Sequence, residues 1–356
     1  MGQRGRDIWA GVRLRKIFWS LWMILGMVCR QTATVDRMDS VINQLTITHQ
    51  DVVAAAERIA GQVETTPLVA TAVSGERIWL KCECLQTGGA FKLRGATNRL
   101  LQLTPEEQAL GVVAFSSGNH ARGVAIAAKR LGIRAVIVMP ADAPKVKVDG
   151  TAAEGPEIVF FDRLKESREE IAGRIAGETG ATVVPSYDDP HIVAGQGTAG
   201  LEIVEQLGRS PPRIVTPCGG GGLAAGLALA VPDANIVVAE PEGWDDMVRS
   251  LELGEIVPVG PNPPPTLCDA IQTLRVADLT FGILKQRQAR GVAVSDAEVE
   301  AAIRFAWEQH GLVVEPGGAA ALAAVLSRKV EPVEDTVVVV SGGNIDPALH
   351  TRIVGV

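Results

Sequence analysis

The feature that most constrains this chain is a nearly unbroken alternation of helical and strand-like patterns from about Thr46 onward. Short apolar runs are followed by longer segments with helical spacing, and the loops between them are short. Such alternation is typical of an α/β protein, because neighbouring parallel strands need helical crossovers to connect them. We therefore predict a largely parallel sheet flanked by helices.

The length of the chain predicts two lobes, because 356 residues exceed what one hydrophobic core usually serves. Four apolar runs follow one another closely and predict a small lobe over 112–187. These runs are 112–115, 135–139, 158–161 and 182–184. The large lobe is then expected to combine 38–111 with 188–356.

The charge distribution separates the first 37 residues from the rest of the chain. Residues 1–37 carry seven Lys or Arg and two Asp, a net +5, which leaves −12 for the remainder of a chain whose total is −7. A body this acidic argues against nucleic acid as a partner. Five cysteines without the spacing of a disulfide framework favour a reducing compartment, and we predict a cytoplasmic protein.

The start of the chain contains an apolar run over 17–29 after Arg13, Arg15 and Lys16. The run is too short to span a bilayer comfortably, and no small-residue cleavage site follows it. Because Met38 opens a polar start, we expect the native chain to begin there and 1–37 to be a mispredicted or dispensable extension. An interfacial anchor is the second interpretation. We predict no membrane contact for the body of the chain.

The sharpest local signal is the run Cys218-Gly219-Gly220-Gly221-Gly222-Leu223 between a strand-like segment and a helix of small residues. Consecutive glycines let backbone N–H groups surround an anion, and the following helix N-terminus adds a positive dipole. The setting predicts a phosphate cradle. A flexible hinge is the alternative without chemistry.

The same glycines leave the kind of phosphate open. Gly220, Gly222 and Ala225 also match a dinucleotide fingerprint, and Glu240 lies where a ribose-binding acid would follow the next strand. A dinucleotide-dependent oxidoreductase is therefore one alternative, and a non-catalytic binder of a phosphorylated metabolite is another. Neither alternative explains the surroundings of Lys92.

Lys92 is set among glycine and apolar neighbours between Gly88 and Ala96. Apolar surroundings favour the neutral amine, which can attack a carbonyl and hold it as an imine. From this stretch alone, a lysine that extends from a helix to solvent is the simpler interpretation.

Two further polar loops follow apolar runs. The loop Ser116-Ser117-Gly118-Asn119-His120 can hold a carboxylate with its hydroxyls and N–H groups, although alone it also fits a plain helix cap. The loop Ser341-Gly342-Gly343-Asn344 follows the last apolar run. A serine at the carboxyl end of such a strand points to where ligands of α/β proteins bind.

The order of these four loops resembles the fold type II family of pyridoxal-phosphate enzymes, and within it the threonine and serine dehydratases and serine racemase. The resemblance covers about 46–347 and implies a two-lobed α/β fold like that of tryptophan synthase β. It implies pyridoxal phosphate as cofactor, bound to Lys92 as an imine with Phe91 beside the ring. Asn119 would bond the ring hydroxyl, and Ser341 would face the pyridine nitrogen.

The resemblance also assigns the anionic groups of cofactor and substrate. The cofactor phosphate would be held by Gly219, Gly220, Gly221 and Gly222. The substrate carboxylate would be held by Ser116, Ser117, Asn119 and His120.

The activity implied by this resemblance is α,β-elimination of L-threonine or L-serine to 2-oxobutanoate or pyruvate and ammonia. Lys92 would take the α-proton, and Ser117 on the opposite face of the ring could return one. A serine racemase is therefore an alternative, as is a 3-hydroxyaspartate dehydratase. The substrate would be a small amino acid, and the family implies a homodimer.

A metal site is also implied. In metal-dependent members of the family a glutamate, a carbonyl four residues later and an aspartate six residues later bind Mg2+ or Ca2+. Glu240, Trp244 and Asp246 have this spacing, and each supplies a hard oxygen ligand. Without the resemblance, a solvated acidic loop would be the simpler interpretation.

Overall fold

The computed structural model describes residues 47–116 and 118–355. Its strands are β1 (Leu68–Val73), β2 (Glu76–Lys81), β3 (Val112–Phe115), β4 (Ala135–Pro140), β5 (Glu157–Phe161), β6 (Thr182–Val183), β7 (Arg213–Pro217), β8 (Asn235–Pro241), β9 (Arg290–Val294) and β10 (Val337–Val339). Its α-helices are α1 (His49–Ile59), α2 (Lys92–Leu100), α3 (Pro105–Leu110), α4 (Asn119–Leu131), α5 (Lys145–Ala152), α6 (Arg168–Thr179), α7 (Pro190–Leu207), α8 (Gly222–Ala230), α9 (Asp246–Leu253), α10 (Asp278–Gln286), α11 (Asp296–His310), α12 (Pro316–Leu326) and α13 (Pro347–Val354).

Two sheets organise these elements. The larger has the order β1-β2-β10-β7-β8-β9, in which only the β1–β2 pair is antiparallel. The smaller has the order β5-β4-β3-β6 and is parallel throughout. The prediction of an α/β fold with largely parallel sheets is confirmed.

The edge strands β1 and β9 of the large sheet were not predicted. Most residues of both strands are only partly buried, because an edge strand packs against the sheet on one side only. Neither segment therefore presents the continuous apolar run that marks a central parallel strand. Helix starts leave a clearer signal in the sequence: Thr104 with Glu107 and Ser295 with Glu298 match the capping-box pattern, and both capping boxes are present.

The core of the large sheet is closed by α12, an alanine-rich helix. Every residue from Pro316 to Val325 is buried, and this helix packs with α11 over the valines of β10. Small side chains let the helix approach the sheet closely, which brings the start of α12 to the carboxyl ends of the strands.

The strands of the small sheet fall within 112–187 and those of the large sheet outside it. Residues from Thr48 onward form one compact unit, so the proposed division into two lobes stays a prediction. The extension 1–37 lies outside the described residues. Within those residues, no helix has the length and apolar character needed to cross a membrane.

Candidate active site

Three neighbouring strands of the large sheet end at the candidate site. β2, β10 and β7 are adjacent and parallel, and their following loops lead to Lys92, Ser341 and the glycine run. Because the carboxyl ends of parallel strands meet at one edge of a sheet, loops far apart in the sequence come together there.

The loop before Lys92 is joined to the last polar loop by backbone hydrogen bonds. Phe91 N donates to Ser341 O at 3.2 Å, and Gly343 N donates to Gly89 O at 2.8 Å. Gly89 has a φ of +75°, and a Cβ at this position would lie 2.4 Å from Oδ1 of Asn344. A side chain at residue 89 would therefore displace Asn344.

Lys92 is the first residue of α2 and lines a small cavity. Its Nζ donates to the Ser186 carbonyl oxygen at 2.9 Å and lies 5.2 Å from the centre of the Phe91 ring. Burial lowers the pKa of Lys92 to about 8, because desolvation disfavours the charged amine. A substantial fraction of this amine is neutral near physiological pH.

The glycine run forms a concave loop before α8. Gly221 has a φ of +88°, and a Cβ on Gly220 would lie 2.3 Å from the ring of Tyr187. Thr280 Oγ1 donates to Gly220 O at 2.7 Å and fixes the loop. Among the described residues, the N–H groups of Gly219 and Gly220 have no hydrogen-bond acceptor, so this loop fits an anion such as phosphate.

Two adjoining cavities bring most of the predicted residues together. The small cavity, about 80 Å3, is lined by Phe91, Lys92, Asn119, Gly219, Gly220, Gly221, Gly222 and Ser341 among others. The large cavity, about 450 Å3, shares Lys92 with the first and is also lined by Ser116 and His120. Lys92 therefore lies where the cavity of the glycine loop meets a larger pocket. Ser117 lies outside the described residues.

Asn119 is held at both ends of its amide. Its Nδ2 donates to Glu315 Oε1, and its Oδ1 accepts from Asn344 Nδ2 at 2.8 Å. Glu315 and the partnership with Asn344 were missed by sequence reasoning. The only available signal for Glu315 was its place immediately before Pro316, at the start of the small-residue helix α12.

Ser116 and His120 line the large cavity in different ways. Ser116 Oγ accepts a hydrogen bond from Gly118 N at 3.2 Å. His120 is buried, and its Nε2 lies 2.9 Å from the Val184 carbonyl, which requires Nε2 to be the protonated nitrogen. Burial, aided by the charge of Lys92, lowers the pKa of His120 to about 3, so its ring is neutral.

Two cationic side chains in the large cavity were also missed. Lys147 is buried and pairs with Asp269 at 2.6 Å. Arg168 is the first residue of α6, and its guanidinium lies 5.5 Å from the centre of the Phe115 ring. Both come from helices of the 112–187 segment whose sequences resemble ordinary solvated helix starts.

The helix α2 is anchored by a buried ion cluster. Arg94 donates to both oxygens of Glu83 at 2.8 Å and pairs with Glu202 at 2.5 Å. Lys81 Nζ donates to the same Glu202 at 2.6 Å. The side chains of Lys81, Glu83 and Arg94 are fully buried, and the cluster holds the helix two residues after Lys92.

The predicted metal ligands lie together after β8. Glu240 and Asp246 are fully buried. Among the described residues, neither carboxylate oxygen of Asp246 accepts a hydrogen bond of ordinary geometry, although the backbone N–H of Val276 lies near enough to favour its ionised form. Val248 N, which in a regular helix would donate to the Trp244 carbonyl four residues earlier, donates instead to Glu240 Oε2 at 2.8 Å. In the described part of the chain, the Trp244 carbonyl therefore has no backbone donor. These oxygens fit a hard cation.

The protonation of the two carboxylates reflects their burial. Burial, followed by the charge of Asp246, raises the pKa of Glu240 well above its ordinary value. Burial also raises the pKa of Asp246 to about 7. In the described chain no three His, Cys, Asp or Glu side chains form a metal cluster; the predicted set has two side chains and one carbonyl.

The position of Glu240 argues against the dinucleotide interpretation. Its carboxylate is fully buried and accepts from backbone N–H groups of α9. It is therefore not available to bond a ribose hydroxyl.

Comparison with known proteins identifies close relatives. A family model described as "Pyridoxal-phosphate dependent enzyme" matches residues 59–342. The chain is 41% identical over 307 residues to an L-threo-3-hydroxyaspartate ammonia-lyase of a Pseudomonas species, covering 84% of this chain and 95% of the relative. It is 40% identical over 316 residues to an L-threonine ammonia-lyase of Thermotoga maritima, covering 86% and 78%. The structure of maize serine racemase is similar with a TM-score of 0.81 and 36% identity, covering 86% of this chain and 96% of that one.

Proposed function

This chain belongs to the family of pyridoxal-phosphate dependent enzymes, and we propose that it is an ammonia-lyase that eliminates the β-hydroxyl of L-threonine or L-serine. The observation that carries this proposal is the amine of Lys92, whose pKa burial lowers to about 8, at the junction of the glycine loop and the large cavity. The products would be a 2-oxo acid and ammonia.

The residues of the small cavity would hold the cofactor. The N–H groups of Gly219 and Gly220, which have no acceptor among the described residues, would bind its phosphate. Asn119 would offer an N–H to its ring oxygen, and Ser341 would face its ring nitrogen. When bound, pyridoxal phosphate supplies an aldehyde for the amino group of the substrate and a ring that withdraws electrons from the α-carbon. The Ser341 hydroxyl carries no charge, so it does not keep the ring nitrogen protonated.

The residues of the large cavity would bind and deprotonate the substrate. The carboxylate is expected at Ser116, Ser117 and the N-terminus of α4, where backbone N–H groups and the helix dipole favour an anion. His120 is neutral, so it would line the substrate pocket without pairing with the carboxylate charge. Lys92 Nζ, in its neutral form, would take the proton from the α-carbon.

The experiment that tests this function is an assay of the cofactor-loaded protein with L-serine, L-threonine and L-threo-3-hydroxyaspartate. We expect 2-oxo acid and ammonia in equal amounts. Absence of 2-oxo acid from all three substrates would contradict the proposal. Formation of the D-enantiomer without 2-oxo acid would instead identify a racemase, the activity for which Ser117 is the candidate proton donor.

A second candidate, a 3-hydroxyaspartate ammonia-lyase, is favoured by one observation. Arg168 lines the large cavity beside Phe115, and Phe115 directly precedes the loop proposed for the substrate carboxylate. A guanidinium at this position can pair with a second carboxylate on the substrate side chain. L-Serine and L-threonine have no group for it to bind.

Replacing Arg168 with methionine is expected to separate the two candidates. If the substrate is dicarboxylic, kcat/KM for L-threo-3-hydroxyaspartate falls about 10- to 100-fold, the range for a lost charged hydrogen bond. The value for L-serine changes little. Arg174→Met, an exposed arginine on the same helix, is the control. Equal losses for both substrates would contradict a role in specificity.

We also propose that Glu240, Asp246 and the Trp244 carbonyl bind Mg2+ or Ca2+. The support is the buried carboxylate of Asp246, which pairs with no cationic side chain at hydrogen-bond distance among the described residues; a buried carboxylate of this kind is costly without a cation. The metal would hold the loop after β8 against α9. This loop lies close to the glycine run, because a Cβ added to Gly221 would lie 2.8 Å from Cε of Met247.

The stability of the protein is expected to depend on pH and metal together. Burial raises the pKa of Asp246 from 3.8 to about 7, so the folded state binds this proton more tightly than the unfolded state. In chelator, the free energy of unfolding should therefore fall as pH rises from about 4 to about 7 through the ionisation of Asp246, and Glu240, whose pKa is also raised, should add to this fall. Mg2+ or Ca2+ binds the ionised carboxylate, so it should raise the Tm more at pH 8 than at pH 6.

Thermal unfolding with and without chelator at several pH values checks this prediction. Asp246→Asn should remove the metal effect, whereas Asp233→Asn, at an exposed position, should retain it. A metal-dependent Tm that survives Asp246→Asn would place the ion elsewhere.

We further expect a cytoplasmic homodimer. The four described cysteines, Cys82, Cys84, Cys218 and Cys268, are free and buried, as expected in a reducing compartment. The homodimer follows from the family resemblance, and light scattering after size-exclusion chromatography measures it.

A further inference from the structure

Two asparagines from distant parts of the chain meet beside Lys92. Asn119 is the first residue of α4, and Asn344 is the last residue of the loop 341–344. Nδ2 of Asn344 lies 2.8 Å from Oδ1 of Asn119. A side-chain amide can rotate by a half-turn and exchange its donor for its acceptor. Asn119 can therefore offer the small cavity either an N–H or a carbonyl oxygen, depending on its partners.

Arg122 and the Gly88 carbonyl together fix the orientation of Asn344. A guanidinium can only donate, so its Nη1, at 3.1 Å, must face the Asn344 oxygen. A backbone carbonyl can only accept, and Gly88 O lies 2.8 Å from Asn344 Nδ2. Both constraints require the same orientation of this amide.

Asn344 in turn decides the orientation of Asn119. The Asn344 NH2 group faces Asn119, so the Asn119 atom that accepts this hydrogen bond must be the amide oxygen. The Asn119 NH2 group then faces Glu315 and the small cavity. One of its hydrogens bonds Glu315, and the other is left for a ligand.

Glu315 favours the same orientation when it is ionised, because a carboxylate can only accept, and Lys147 Nζ lies 3.5 Å from its Oε2. Burial opposes this by raising the pKa of Glu315 above the ordinary value, and a protonated carboxyl can also donate. Arg122, in contrast, can only donate. It forms no ion pair with a described residue, and its buried Nε has no hydrogen-bond partner among them, which costs free energy at a purely structural site.

We propose that Arg122 is a positioning residue that acts through Asn344 to hold the N–H of Asn119 toward the ring oxygen of the cofactor. The inference rests on the proposed function, because that oxygen belongs to pyridoxal phosphate. An N–H donor favours the ionised ring oxygen. A rotated Asn119 would face it with a lone pair and favour the protonated form, which absorbs at shorter wavelength.

The test is the absorption spectrum and cofactor affinity of the loaded protein and its variants. Asn344→Asp preserves the shape of the side chain and gains a charge pair with Arg122, but it has no N–H for Asn119. We expect part of the visible absorption to move to shorter wavelength and the cofactor to bind about tenfold more weakly. Arg122→Gln, whose amide can rotate, should shift the spectrum in the same direction.

Two further variants complete the test. Arg122→Lys can still only donate and should restore the native spectrum, and Arg130→Gln, at an exposed position on the same helix, should match the native protein. An Asn344→Asp protein that folds and absorbs like the native one overturns the inference, and so does an Arg122→Lys protein that absorbs like Arg122→Gln. If Arg122→Gln does not fold, Asn344→Asp decides alone.

Failure of the inference is distinct from failure of the proposed function. A native protein that shows no cofactor absorption after loading contradicts the function itself. A native protein with the expected absorption and variants that lose only thermal stability contradicts the inference alone.

Discussion

Replacing Lys92 with alanine is expected to lower kcat of the cofactor-loaded enzyme by about 10³-fold or more, the effect of losing a general base that is also the nucleophile for the cofactor. The structure supports this because Lys92 Nζ is the amine shared by the two cavities. Burial also lowers its pKa to about 8, which supplies the neutral form. Production of 2-oxo acid measures the loss.

A chemical label separates this role from a structural one. Reduction of the loaded protein with borohydride should attach the cofactor to the peptide that contains Lys92, and mass spectrometry identifies that peptide. Lys145→Ala, which removes an exposed lysine of α5, should retain activity and labelling. Label on another lysine, or full activity of Lys92→Ala, would remove Lys92 from the mechanism.

Replacing Arg94 with methionine is expected to lower the free energy of unfolding by about 3–5 kcal/mol, because it leaves Glu83 buried without its cation. Burial tends to raise the pKa of Glu83, but the charge and hydrogen bonds of Arg94 outweigh burial, and the pKa stays below its ordinary value. Glu202 would keep its ion pair with Lys81 and the hydrogen bond that Thr66 N donates to it. Urea unfolding measures the change.

A matched surface pair provides the control for this experiment. Arg134 and Glu157 form an ion pair in which both side chains are more than half exposed, so Arg134→Met should cost less than about 1 kcal/mol. The double variant Glu83→Gln with Arg94→Met should recover part of the loss, because it removes the uncompensated charge. Equal costs for Arg94→Met and Arg134→Met would show that the buried cluster does not anchor α2.

The fold class and the family were predicted correctly because each depends on a local pattern. The α/β class followed from apolar runs such as 112–115, and the family resemblance from the order of four loops; both are confirmed. The roles of Lys92, Asn119, the glycines and Ser341 stay predictions, although the structure brings all of them to one cavity.

Other features had no local signal. Glu315 precedes an alanine-rich helix, and only the fold brings it to Asn119, which lies 196 residues earlier in the chain. The partner of Asn344 is likewise separated from it by 225 residues. Hydrogen bonds between such distant residues leave no periodicity or spacing for sequence reasoning to detect.

The sequence by itself determined the fold class and the family and pointed to the candidate loops, because backbone periodicity and short motifs are properties of neighbouring residues. Only the tertiary structure decided how these loops are oriented and charged. The pKa values of Lys92 and Asp246 depend on burial, and the direction of the Asn119 amide depends on Arg122 through Asn344. Desolvation and the donor or acceptor character of distant partners exist only once the chain has folded.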